Sequence, residues 1–141
     1  MKQGFEDAFT DAQSGMVSLF LELLEGVDVD KIYIYAFQNE VQSFFNGFVE
    51  KDGEVVNLIK AVPDGDKILE YFEHGINAID HIVNVCKTYS KDCPNLFKLI
   101  YNVETGAFDA DYGYEDIVSE DKGLSSDFLE WREEIRKSLQ S

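Results

Sequence analysis

The sequence predicts an α+β fold, a five-stranded and mostly antiparallel sheet packed by helices in the order α-β-β-β-α-β-β-α. Three observations carry that expectation. Apolar residues recur at three- and four-residue steps near the start, in the middle and at the end of the chain, as amphipathic helices require. Runs of β-branched and aromatic residues fill the stretches between them. The links within residues 30–60 and 96–116 are of hairpin length, which demands antiparallel neighbours. With 141 residues, 45% apolar and 13% aromatic, the chain can bury a core without disulfide or metal staples. No repeat, low-complexity tract or linker divides it, so one domain is expected over residues 1–141.

The first helix is expected over residues 3–25, with Phe5, Phe9, Ala12, Met16, Leu19 and Phe20, and Leu23 on its inner stripe and Gly26 as its stop. Residues 30–37 (DKIYIYAF) are apolar on both alternating faces, which places that strand inside the sheet. A second strand over 41–50, a loop at Lys51-Asp52-Gly53 and a third strand over 54–60 follow. Asp64 is placed as the N-cap of a long helix with Ile68 and Leu69, Phe72, Ile76, Ile79, Val83 and Cys86 on its core stripe. Gly75 inside that helix costs about 1 kcal/mol relative to Ala, so it points to close packing or a slight bend. A hairpin over 96–116 turns at Glu104-Thr105-Gly106. Ser125 or Ser126 is placed as the cap of a last helix, whose inward stripe is Phe128, Trp131, Ile135 and Leu139.

Charge narrows the partners. Lys and Arg total 12 against 28 Asp and Glu, a net charge of −16. Residues 104–134 hold eleven acids against Lys122 and Arg132, and residues 1–30 hold seven against Lys2. Such a field repels nucleic acid and anionic membrane and attracts basic proteins, although acidity also serves plain solubility. No apolar run reaches the length of a membrane span, and the first residues do not form a signal peptide, so a cytoplasmic protein is expected. Cys86 and Cys93 match neither a CxxC motif nor a disulfide scaffold and are read as reduced thiols.

A search for chemistry finds little. His74 and His81, with Asp80 or Glu73 as a third ligand, lack the i, i+4 spacing of a zinc helix, and no other His exists, so no metal is expected. Ser43 and Ser119 lie in no GxSxG context, and no glycines form a phosphate-cradling loop. Asp109 and Asp111 form a DxD that an enzyme uses for acid–base work or a divalent cation. Two strand carboxylates without a basic or nucleophilic companion are expected instead to be a solvated face. The expectation is a protein that is not an enzyme and holds no cofactor.

The strand that carries those acids sorts its side chains. Phe108, Ala110, Tyr112 and Tyr114 fall on one face, while Asp109, Asp111 and Glu115 fall on the other. Carboxylates on alternate residues recur about 6.6–6.8 Å apart, a rail suited to a cationic partner. The segment LFKLIYNVETGAFDADYGYE (96–115), a polar loop and the Trp-bearing helix SSDFLEWREEI (125–135) together resemble the C-terminal half of the YezG-like immunity proteins, small bacterial antitoxins. The front half is similar in layout only, with its acidic helix, the strand run IYIYAF, Phe44 and Phe45 in a hairpin, and a long helix. The resemblance implies an α+β fold and a cytoplasmic protein that neutralises a cognate toxin, commonly a nuclease. It implies no enzymatic activity and no cofactor. The net charge of −16 adds the expectation that the toxin is basic and that the chain contacts neither nucleic acid nor membrane directly. The resemblance brings no contact residues, so these are taken from the rail and the residues beside it: Asp109, Asp111, Glu115, Asp116 and Tyr114. The alternative expectation is an acidic regulatory or adaptor module for a small ligand or another cytosolic protein, with an apolar pocket between sheet and helices.

Overall fold

A computed structural model describes residues 4–115 and 123–140. The sheet has the order β3-β2-β1-β4-β5 and is antiparallel throughout. β1 (Lys31–Gln38) lies at its centre, and its six interior residues are buried on both faces. This is why DKIYIYAF shows no polar face: the strand has none to present to water. β2 (Ser43–Lys51) and β4 (Leu96–Asn102) flank it, β3 (Glu54–Asn57) closes one edge, and β5 (Phe108–Gly113) closes the other.

The two faces of β1 meet different helices. Ile32, Ile34 and Ala36 pack with Met16, Phe20 and Leu23 of α1 (Phe5–Leu23) and with Ile79 and Ile82 of α3 (Gly65–Thr88). Tyr33, Tyr35 and Phe37 pack with Phe128 and Trp131 of α4 (Leu124–Gln140). The sheet is thus the middle of three layers, with α1 and α3 on one side and α4 on the other.

Several boundaries differ from expectation for physical reasons. The third strand ends at Asn57 rather than continuing to Lys60, and a single helical turn, α2 (Leu58–Ala61), follows. The amide of Val62 donates to the Leu58 carbonyl at 2.7 Å, and both side chains are buried, four residues apart, while Ile59 and Lys60 are exposed. A helical turn reaches the core with that spacing, and a strand does not. Leu69, expected in the α3 stripe, is 63% exposed, and Gly75 takes a buried place beside Ile68 and Ile79. The last helix starts at Leu124, so Ser125 and Ser126 sit in its first turn and do not cap it from outside. Asp64 does cap α3, accepting the Lys67 amide at 3.2 Å. The hairpin between β2 and β3 turns at Asp52 and Gly53, with φ of 54° and 78°, the left-handed pair that a two-residue turn needs.

Phe20, Phe45 and two glycines lock the layers together. A Cβ at Gly47 would lie 2.5 Å from the Tyr33 carbonyl oxygen and 2.6 Å from the Phe20 ring. A Cβ at Gly75 would lie 2.1 Å from the Phe45 ring. Each ring occupies the space of an absent side chain, and the rings of Phe20 and Phe45 lie 5.5 Å apart. Gly15, also inside a helix, has nothing within 4 Å of a Cβ. The same substitution therefore has opposite signs at two helical sites. Gly15→Ala stabilises the fold by up to about 1 kcal/mol through helix propensity. Gly75→Ala destabilises it by about 1–3 kcal/mol through overpacking. Urea denaturation of both variants checks this, and equal shifts of the midpoint would refute the packing argument.

Candidate interaction surface

The acidic strand β5 is an edge strand, and Phe108, Asp109, Ala110 and Asp111 are exposed. Asp111 lies opposite Lys98 and Asp109 opposite Ile100, so both carboxylates stand on the face shared with α4. Lys98 does not neutralise them: its Nζ sits over the Trp131 ring, 5.8 Å from the centroid. Neither the Asp109 nor the Asp111 carboxylate has a hydrogen bond or ion pair with the described residues. Charges on an open edge also guard it against pairing with other chains.

Other acids are committed to the fold. The hydroxyl of Tyr33 donates to Glu50 at 2.8 Å, and that of Tyr35 to Asp127 at 2.6 Å. Burial raises both phenols above the ordinary value of 10.0, and the neighbouring carboxylates raise them further. Lys51 Nζ gathers Asp28 at 2.7 Å, Asp52 at 3.7 Å and Asp30 at 4.0 Å around the β2–β3 turn. Glu133 pairs with Arg136. Asp109 and Asp111 differ in having no such duty.

The aromatic face of β5 is less buried than the alternation implies. Phe108 is 40% and Tyr114 59% exposed, and only Tyr112 packs inward. Its ring stands edge-on to Phe9 and Phe97, 5.7 Å from each, and its hydroxyl donates to Gln13 Oε1 at 2.5 Å. Gln13 was not singled out from the sequence. Its signal is a polar residue four after Phe9, on the buried side of α1. Tyr114 and Glu115 lie beyond the end of β5, so the strand itself holds two of the five expected contact residues. Both are exposed; Asp116 falls outside the described residues.

One concave feature was not located from the sequence. A groove of about 720 Å³ opens between α3, α4 and the edge of β2, lined by Phe44, Asn46, Leu69, Phe72, Leu129 and Arg132 among others. Ile59, Leu69 and Leu129, three of the large apolar side chains left in water, all border it. Arg132 is held there by a 2.8 Å bond to Asn57 Oδ1.

The histidines lie exposed on the outer surface of α3, with His74 Nε2 3.9 Å from Glu70. Among the described residues, no cluster of three His, Cys, Asp or Glu can hold a metal ion. Cys86 is buried and Cys93 half-buried, both as free thiols. Burial, with the Cys86 thiol as hydrogen-bond partner, pushes Cys93 up to about 12, which leaves it protonated and unreactive at neutral pH. No helix among the described residues is long and apolar enough to cross a membrane.

No protein-family model matches this chain, and no curated protein matches it either.

Two outcomes follow for solution behaviour. Tyr33 and Tyr35 titrate at 10.0 when unfolded and higher when folded, so the folded state binds more protons above pH 10. Stability is intact below pH 10 and falls above it by up to about 1.4 kcal/mol per tyrosine for each further pH unit. Thermal melts from pH 8 to 11 check this, and a flat profile refutes it. Asp109→Asn with Asp111→Asn changes stability by less than about 0.5 kcal/mol, because neither carboxylate touches the fold. A larger loss in denaturant titration would show a structural role.

Proposed function

We propose that this protein is a cytoplasmic immunity protein, which binds a cognate basic toxin and blocks it by protein–protein contact. A nuclease is the favoured toxin class. One observation carries the reading: Asp109 and Asp111 stand in water on an ordered strand with no internal partner, in a chain of net charge −16. A nuclease is cationic where it holds phosphates, and an acidic surface complements that site and speeds encounter. Tyr114 and Glu115, both exposed, extend the same surface past the end of the strand. The resemblance of residues 96–115 and 125–135 to the YezG-like immunity proteins supports the same role. In this reading the protein is not an enzyme, needs no cofactor and touches neither nucleic acid nor membrane.

The groove beside β2 favours a second reading. Its apolar lining and single arginine suit a regulatory or adaptor module for a small ligand or another cytosolic protein, with the acidity serving solubility. The two readings differ in what charge does.

Co-expression with the toxin gene beside this one, read as survival and complex formation, tests the first reading. Protection and a stable complex are expected. No complex with any neighbouring toxin would refute it. Asp109→Lys, Asp111→Lys and Glu115→Lys together slow association about tenfold or more at ~10 mM salt and less than about twofold at ~0.5 M, where the Debye length is only a few ångströms. Stopped-flow association at both salts measures this. A salt-independent effect, or none, would favour the second reading.

A further inference from the structure

β5 ends the sheet, so one side of its backbone has no strand beside it. Two hydrogen bonds fix which residues face outward. Ala107 accepts the Asn102 amide at 2.9 Å, and Gly113 accepts the Asn95 amide at 2.7 Å. Residues 107, 109, 111 and 113 therefore turn their backbone groups toward β4, and the N–H and C=O groups of Phe108, Ala110 and Tyr112 point away from the sheet. No strand or hydrogen bond among the described residues answers them. Phe108 and Ala110 are also exposed, and Tyr112 is half-buried. An edge that is both unpaired and open is a template for one more strand.

Two surfaces of different chemistry flank this edge. On the α1 side lies a hollow of about 470 Å³, lined by Gln13, Ser14, Val17, Leu21, Tyr101 and Phe108 among others. None of its lining residues is charged, and Leu21 and Phe108, 39% and 40% exposed, leave apolar surface in water there. On the α4 side stand the Asp109 and Asp111 carboxylates. Lys98, opposite Asp111, keeps its ammonium on the Trp131 ring. Residues 102–115 hold Glu104, Asp109, Asp111 and Glu115 and no lysine or arginine, so the hairpin offers no base to offset them. A strand added at the usual spacing of about 4.8 Å would alternate its side chains between the apolar hollow and the acids. Charge then selects the strand. A second copy of β5, or any acidic segment, would set carboxylate against carboxylate across the pair, which is destabilising. Lysine or arginine at alternate positions meets the same acids favourably. The charges that guard this edge against other chains thus admit a basic one.

We infer that the β5 edge from Phe108 to Tyr112 receives an extended segment of a basic protein, which joins the sheet as an added strand with apolar side chains toward α1 and lysine or arginine toward Asp109 and Asp111. This gives the acidic surface a mode of contact. Calling the partner a toxin rests on the function proposed above; the open edge does not.

A peptide of alternating lysine and valine, KVKVKVKV, is the probe, titrated into the isotopically labelled full chain and followed by amide chemical shifts. Two peptides serve as controls, EVEVEVEV and KVKVKVKV with alternate backbone nitrogens methylated. The control variant is Ala110→Pro, which removes one outward N–H at a place where an edge strand accepts proline without losing a bond of its own. Shifts are expected on residues 108–112 and on Val17 and Leu21. Binding is expected to weaken about tenfold or more in every control, the worth of one or two backbone hydrogen bonds or of a reversed charge pair. Undiminished binding of KVKVKVKV by Ala110→Pro, or of the methylated peptide by the unaltered chain, would overturn strand addition in favour of a loose charge contact. The methylated peptide answers that question even where the proline variant fails to fold. Equal binding of EVEVEVEV would overturn the basic occupant. Shifts elsewhere, or none at millimolar peptide, would overturn the site itself. Because the probe is not the toxin, binding here with no protection in co-expression would refute the proposed function and leave the edge site standing. Protection without binding here would do the reverse.

Discussion

The whole arrangement depends on burying β1 on both faces. A central strand can hide two apolar faces only if a layer covers each, and one of its faces carries two tyrosines. A buried hydroxyl without an acceptor costs roughly 1–3 kcal/mol. Glu50 and Asp127 supply the acceptors, one from the neighbouring strand and one from the first turn of α4. The second of these bonds spans 92 residues and ties the end of the chain to its centre. It also sets where α4 lies, since the turn that carries Asp127 must stand over Tyr35 while Trp131 lies against Tyr33 and Phe48. The acidity of this chain is therefore not all one thing. Some carboxylates are internal acceptors, some surround Lys51, and two stand alone on β5.

The opposite layer is held by shape. Phe20 fills the gap left at Gly47, and Phe45 fills the gap left at Gly75. Each contact needs a ring on one element and a missing side chain on the next, so α1, β2 and α3 are fixed relative to one another by two matched pairs. Burial of rings this size contributes about 1.5–3 kcal/mol each. The position of α3 in turn decides the groove, because Leu69 and Phe72 stand over the β2 edge only when Gly75 lets the helix come close to Phe45.

Much of this was legible in the residues. DKIYIYAF announced a central strand because nothing in it was fit for water. Asp52-Gly53 announced its turn, and Asp64 its helix cap. What escaped was decided by contacts distant in sequence. VVNLIK has strand composition, and only the depth of Leu58 and Val62 in the core shows that the chain coils there. Leu69 continues an apolar stripe, and only the placement of α3 at the sheet edge leaves it in water. For the candidate site, alternation correctly assigned Asp109 and Asp111 to one face. It overstated the burial of Phe108 and Tyr114, because an edge strand has a neighbour on one side only. The groove beside β2 was invisible for a related reason: it is made where α3 and α4 meet the end of the sheet, which side-chain alternation does not show.

The separation of carboxylates by duty bears on how such a chain changes over generations. Tyr112, tied to Gln13, holds β5 in place from the face opposite its acids. The residues that present charge are thus free of the residues that hold the strand. Substitutions at 109 and 111 can alter the charge offered to a partner while the scaffold beneath stays intact. A lineage can therefore retune recognition on this strand by small steps, without passing through an unfolded intermediate sequence.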